Sequence, residues 1–367
     1  MAFKYDLWME EQKIPIHKGF FVEDVRTVPV GWWETGKCNA AFIQLAGQEG
    51  ISEARITEIA PGESLPPMRF SIDQIVYVAS GRGLTTVSAE GKAKQTFEWS
   101  PRSLFLLPGG TTHQFSNARG DHPVRLLHYD YLPLAMSVID DPDFYFNNPG
   151  SIKSSFEGQE DFYSEAKQAP PDDHQKRDQS REGAPEGAAY WYGNFFPDMQ
   201  AWDKLAVYRR RGGGGSTVRV SFPRSQLRAH MSVFPARTYK KGHRHGPGRV
   251  IIIPGGEGYS IMWEEGKDKI VVPWHEASLF VPPNRWFHQH FNAGGTPARY
   301  LAMHPADQFA GFSEQVTDRD RDQIEYPDED PFIRQKFEEE LGRKGLTTLM
   351  PAEAYKDPTY QWSYAAD

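Results

Sequence analysis

The chain has 367 residues, 39% apolar and 25% charged, enough to bury the cores of two ordinary domains and too much to leave it disordered as a whole. A formal net charge of -8 argues against nucleic acid or an anionic membrane as the main partner, since either needs a basic face. The lone Cys38 excludes an intrachain disulfide, and no stretch approaches the ~18 apolar residues of a membrane span, so a soluble, cytoplasmic protein is expected.

The N-terminal MAFKYDLWMEEQK has no apolar leader core. Residues 74–79 (QIVYVA) read as a strand, and Gly81-Arg82-Gly83 turns the chain. Strands at 84–87 and 95–99 follow, and 103–107 runs into Pro108-Gly109-Gly110. Residues 167–187 are polar and rich in Pro and Gly, which predicts a flexible linker. Arg209-Arg210-Arg211 reads as a solvated turn. Four glycines, 212–215, precede Ser216-Thr217. A phosphate loop needs a Lys there and a helix after it, whereas a strand pattern follows at 217–222, so a mobile hairpin is expected.

Further strands are expected at 250–253, 259–263, 269–272 and 279–281. Near the end, Asp330 suits an N-cap, Pro331 the first helical position and Gly342 the stop. Ile333, Phe337 and Leu341 make one apolar stripe, which predicts a helix lying on a barrel or at a dimer contact. The acidic residues before it (Glu325, Asp328, Glu329, Asp330) favour a helix N-terminus.

A shift of 175 positions aligns two segments without gaps. Trp99 meets Trp274, Ser103-Leu104-Phe105 meets Ser278-Leu279-Phe280, and Pro108, His113 and Asn117 meet Pro283, His288 and Asn292. One unit is therefore used twice. Short strands with frequent turns and 13% aromatic residues predict an all-β chain of two double-stranded β-helix (jelly-roll) barrels with a C-terminal helix. The expected division is a barrel at 1–165, a linker at 166–190, a second barrel at 191–310 and a tail at 311–367.

Both copies resemble the bicupin family over roughly residues 55–131 and 218–304. The cupin pattern is G-x5-H-x-H-x3,4-E-x6-G followed by P-x-G-x2-H-x3-N. In the first copy Gly62, Met68, Phe70, Gln74 and Gly81 keep the spacing but lose both histidines and the glutamate, while Pro108, Gly110, His113 and Asn117 keep the second motif. In the second copy His243, His245 and His288 stand at three ligand positions, with Arg249 in place of the glutamate and Arg237 in place of the opening glycine. The resemblance thus implies a degenerate first barrel, with His113 a vestigial core residue, and one metal site in the second.

On a strand, residues two apart share a face, so His243 and His245 point together and Arg244 points away. Three imidazoles leave open positions on one divalent ion. Fe(II) is the first expectation, and Mn(II), Ni(II) or Zn(II) is also possible. Two like charges ~4 Å apart repel by about 4 kcal/mol at an effective dielectric near 20. An inward Arg249 therefore calls for an anion between it and the metal, with a carboxylate the first expectation; the other reading pairs Arg249 with Glu257 or Glu264. Strand parity adds Trp286 and His290, and Trp263, Tyr259, Tyr300 and His304, as pocket walls, with His290 or Tyr259 as an acid–base group. The strings HRHGPG and RWFHQHFN resemble gentisate-type ring-cleaving dioxygenases, which implies an Fe(II) dioxygenase using O2 on a small anionic substrate, aromatic or not. A non-redox hydrolase, isomerase or lyase is the alternative, and a small-molecule binding protein the third. Assembly into a homo-oligomer is open.

Overall fold

The computed structural model describes residues 3–146, 148–150, 156–168, 189–305 and 319–362. Most of the expected linker therefore lies outside the described residues. The described chain is dominated by four sheets. In the first barrel a large sheet orders Ile16–Gly19, Cys38–Leu45, Glu53–Ile59, Val124–Asp130, Gln74–Ser80 and Leu104–Leu107. It faces a small sheet of Met68–Arg69, Thr112–Asn117, Gly83–Ser88 and Gln95–Trp99. The second barrel repeats this plan. Its large sheet contains Ala189–Tyr192, Ser216–Ser221, Arg228–Phe234, Ala298–His304, Val250–Gly255 and Leu279–Phe280. Its small sheet orders Ile270–Trp274, Gly258–Trp263, Phe287–Asn292, Gly242–His243 and Gln323–Ile324.

The two large sheets meet back to back. Ile43, Ile56, Tyr77 and Leu127 from one, and Val218, Met231, Ile252 and Leu301 from the other, fall in a single buried apolar cluster. In Ser216–Ser221 and Arg228–Phe234 the apolar residues Val218, Val220, Ala229 and Met231 face this seam. By strand alternation, Thr217, Arg219, His230 and Ser232 face into the barrel.

Each barrel also lends the other a strand. Phe21–Val22 pairs with Leu279–Phe280 of the second barrel, and Phe195–Phe196 pairs with Leu104–Phe105 of the first. The bonds beside these strands are duplicated. The Ser103 hydroxyl donates to the Pro197 carbonyl at 2.6 Å, and the Ser278 hydroxyl donates to the Glu23 carbonyl. The strap edges are thereby paired rather than left open.

The repeat seen in sequence is also a repeat of local bonds. The Asn117 amide donates to the carbonyls of Ile59, Ala60 and His122 at 3.3, 3.1 and 2.8 Å. Asn292 donates to those of Phe234, Pro235 and Thr296 at 3.3, 3.1 and 2.8 Å. Gly62 and Gly110 have φ +70° and +76°, and their counterparts Arg237 and Arg285 keep φ 58° and 62°. The second copy thus holds two arginines in a left-handed conformation that disfavours a Cβ. The Arg237 side chain makes a long, exposed bond to the Thr347 carbonyl at 3.4 Å, and its carbonyl, which any residue there would keep, accepts from the Leu349 N–H at 2.9 Å. Arg237→Gly is therefore expected to stabilise the protein by about 0.5–1 kcal/mol, seen as a higher urea midpoint at unchanged slope. Arg285→Gly would lose its bonds to Asp322 and bring no such gain.

The C-terminal helix spans Pro331–Arg343, with Asp330 Oδ1 accepting from the Phe332 N–H at 2.9 Å. It runs one residue past Gly342, and Gly345 supplies the left-handed residue at φ +69°. Ile333, Phe337 and Leu341 are buried against Tyr239, Tyr259 and Phe291 on the outer face of the second small sheet. The acidic run before it is used in packing as well. Glu329 accepts from the Tyr239 hydroxyl and from Gln289 at 3.1 Å, and burial pushes its carboxyl up to about 7.

Two loop expectations need correction. Arg211 is not in a solvated turn. It is buried, and its Nη1 donates to Gln323 Oε1 at 2.8 Å. The four glycines do turn a hairpin, since Ala206–Val207 pairs antiparallel with Ser216–Thr217, but its turn is packed rather than loose. Gly212, Gly213 and Gly214 all have positive φ, and a Cβ on Gly213 would lie 2.8 Å from the Tyr239 carbonyl.

Candidate metal centre

His243 sits on the small sheet directly opposite His288, and His245 lies two residues on, so three rings converge. Ring centroids are 4.3 Å apart for His243 and His288, 4.6 Å for His245 and His288, and 5.9 Å for His243 and His245. Their ligand atoms all lie within 4.8 Å of one another, and no other such group of three occurs among the described residues.

The backbone fixes which nitrogen of each ring carries the proton. Nδ1–H donates to the Lys241 carbonyl from His243 (3.4 Å), to the Gly246 carbonyl from His245 (2.7 Å) and to the Trp286 carbonyl from His288 (3.2 Å). A carbonyl only accepts, so the proton is on Nδ1 and the Nε2 lone pair remains for a cation. Burial, and then nearby cations, also hold His243 and His288 neutral. His288 is pushed down to about 3, and His243 falls well below its usual range with Arg211 as the next cause. A buried set of neutral imidazole donors fits a divalent metal ion.

The strand bearing His243 would be an exposed edge without Gln323–Ile324, which pairs with Gly242–His243. Asp322 anchors this cover. Burial raises its carboxyl, but hydrogen bonds from Arg321, Arg285 and Arg244 outweigh that and hold it well below the carboxylate range. Arg244 points away from the cluster, bonding Asp322 Oδ1 at 2.9 Å and Glu265 Oε2 at 2.8 Å.

Arg249 faces the barrel interior. It lines one cavity with His243, Tyr208, Arg211, Arg219, His230, Tyr300 and His304. Glu257 is instead held by Lys344 at 2.8 Å. The free space is about 30 Å³, room for only a few heavy atoms. Tyr300 and His304 thus share the cavity with Arg249, and His304 bonds His230.

The other expected pocket residues are placed elsewhere. Tyr259 and Trp263 do not line the cavity. They lie on the outer face of their strand, with Tyr259 stacked on Phe291 at 4.7 Å under the C-terminal helix. That face was legible as apolar, but not as the helix's seat. Trp286 does not line the cavity either; its ring lies 5.8 Å from that of Phe20, the residue before the exchanged strand. His290 lies one layer from the three rings, 5.5 Å from His288, and its Nδ1 meets the Ser260 hydroxyl at 2.8 Å. Ser260 also accepts from Trp274 at 3.1 Å, as Thr85 accepts from Trp99 in the first barrel at 2.8 Å.

Sequence reasoning missed Lys240. It is fully buried, with Nζ donating to Ser232 Oγ at 2.7 Å and to the Tyr300 hydroxyl at 3.4 Å. Burial pushes its ammonium down to about 7. A lysine on a strand leading into His243 carried no signal beyond its position. Arg219 and His230 were legible as the polar residues of their strands, but polar faces ordinarily point to water.

The first barrel lacks the metal pole. Met68 and Phe70 replace two ligands, and Gln74 turns aside, donating to Asp130 Oδ2 at 2.6 Å and accepting from His128 Nδ1 at 2.7 Å. His113 remains as a buried, neutral ring, pushed down to about 4 by burial and then by Arg55.

Two fused jelly-roll barrels, one bearing a three-histidine cluster, are the class of protein this fold and site define. No family model and no curated protein matches the chain. Solved structures do. A serine-to-alanine variant of Bacillus subtilis oxalate decarboxylase is 13% identical with a TM-score of 0.47, covering 79% of this chain and 78% of its own. A tryptophan-to-tyrosine variant of that enzyme is 13% identical with a TM-score of 0.47, covering 78% and 77%. A third oxalate decarboxylase structure, described for its substrate binding mode, is 12% identical with a TM-score of 0.48, covering 79% and 78%.

Proposed function

We propose that the protein is a metal-dependent enzyme that carries out non-redox acid–base chemistry on a small anionic substrate, as a lyase, isomerase or hydrolase. The observation that carries this reading is the set of three buried rings, each with Nδ1–H tied to a backbone carbonyl, one of which, His243, lines a cavity with Arg249.

His243, His245 and His288 would hold one divalent ion, with Mn(II), Fe(II), Ni(II) and Zn(II) all compatible with the donors. Bound there, the ion supplies a Lewis-acid pole. Arg249 offers the substrate a planar pair of donors and so orients a carboxylate. Arg211 and Arg219 extend the cationic lining. Tyr300 brings a hydroxyl to the cavity, and Lys240 behind it holds or yields a proton near neutrality. His290 is tied to Ser260, which suits it to orienting Tyr300, whose ring lies 4.7 Å away.

A second reading, an Fe(II) oxygenase using O2, is favoured by the carboxylate-free ligand set, since three neutral ligands leave open positions for two small molecules. Metal analysis of protein purified without added ions, then turnover assays on small carboxylates and hydroxylated aromatic acids with an oxygen electrode, separates them. Substrate loss without oxygen uptake supports the first reading. Stoichiometric oxygen uptake overturns it in favour of the second, and binding without turnover by any reloaded form favours a binding protein.

Arg249→Glu gives a sharper check on the role of that position. At ~8 Å and an effective dielectric near 20 each unit charge pair is about 2 kcal/mol, so exchanging plus for minus is expected to tighten Mn(II) binding at least tenfold. Oxalate or benzoate binding should weaken by a similar factor, both read by calorimetry.

A further inference from the structure

The two segments that carry the three histidines are both gripped by one turn of the other barrel. That turn, residues 46–51, follows the strand Cys38–Leu45 and is braced internally, with Gln48 accepting from the Leu45 N–H at 2.6 Å and donating to the Ser52 carbonyl at 3.1 Å. Gly248, between His245 and Arg249, donates its N–H to the Gly47 carbonyl at 2.8 Å. Its own carbonyl accepts from the Tyr129 hydroxyl at 2.9 Å. One residue is thus held at both polar groups by the first barrel.

The second segment, 281–288, is held as closely. Glu49 Oε1 accepts from the Asn284 N–H at 2.8 Å. Gly47 lies so near this segment that a Cβ there would sit 2.4 Å from the Pro282 carbonyl oxygen and 2.5 Å from that of Val281. The segments are also tied to each other, since the Arg285 N–H donates to the His245 carbonyl at 2.9 Å. Tyr129 is fully buried in the seam between the barrels, so its hydroxyl has no competing water.

We propose that Tyr129 and Glu49 of the metal-free barrel are positioning residues for the metal centre of the other barrel. The proposal rests on the metal-site reading above. The mechanism is geometric. Three ligands drawn from two loops must hold their spacing before the ion arrives, and two fixed loops lose less freedom on binding than two free ones. On this account the first barrel keeps its place in the protein by shaping the second one's site.

The test uses full-length protein and Co(II) as a spectroscopic probe. Tyr129→Phe and Glu49→Ala are each expected to weaken Co(II) binding by about tenfold, the lower end for outer partners of metal ligands, and to change its visible absorption bands. Glu49→Gln keeps an acceptor for Asn284 and should restore wild-type binding. Tyr77→Phe removes a hydroxyl from the same buried seam without touching either segment, and should leave both readouts unchanged. Wild-type affinity and bands in Tyr129→Phe and Glu49→Ala overturn the proposal. If wild-type protein takes up no Co(II), the metal reading fails, and amide exchange then tests the clamp directly. Faster exchange at 246–249 and 282–285 in the two variants upholds it, and unchanged exchange overturns it.

Discussion

His245→Ala should leave a folded protein that no longer retains a divalent ion. Apparent binding energies of about 10–16 kcal/mol for four-ligand zinc sites put roughly 2.5–4 kcal/mol on each ligand, so losing one of three is expected to weaken Mn(II) or Zn(II) binding by a factor on the order of a hundred or more. His245 is the informative choice. It lies beyond the paired residues Gly242–His243, so its removal disturbs no ladder bond. Metal content after dialysis is the measurement, with circular dichroism as the check on folding. Ion retained at wild-type stoichiometry would remove His245 from the ligand set and with it the site as drawn.

The second large effect concerns stability. Phe337 is fully buried, with ring centroids 5.0 Å from Tyr239 and 5.7 Å from Phe291. Phe337→Ala would leave a cavity at the centre of the helix contact and is expected to cost about 3–5 kcal/mol, measured by urea denaturation. Phe337→Leu, which keeps most of the volume, should cost less than about 1.5 kcal/mol. A loss below about 1 kcal/mol in the alanine variant would mean that the helix contributes little to the barrel. Because Phe291 shares a strand with His288 and His290, loosening there is also expected to lower metal affinity.

Much of this was legible in the sequence, and the failures have one cause. The strands around 74–79, 95–99 and 259–263 were readable because each is short, rich in β-branched or aromatic residues, and closed by a turn. The ligand rings were readable because His-x-His places two side chains on one face. The wall opposite them was not. In Ser216–Ser221, Arg228–Phe234 and Ala298–His304 the apolar residues turn to the other barrel and the polar ones turn inward. Alternation is equally clear in both arrangements, and periodicity alone does not say which side is wet. Arg219, His230 and Lys240 were therefore passed over, while Tyr259 and Trp263 were assigned to the cavity although they face the helix. Arg211 misled for a related reason: three consecutive arginines suggest solvent, yet a buried glutamine partner, Gln323, lies 112 residues further along.

The exchanged strands have an evolutionary corollary. A duplicated gene is usually free to discard the copy that loses its activity. Here the half without the histidine cluster owns Phe21–Val22, an edge of the other half's largest sheet, and borrows Phe195–Phe196 in return. Deleting either lobe would strip its sibling of a border, so mutations that silence one lobe's chemistry leave selection still acting on its shape.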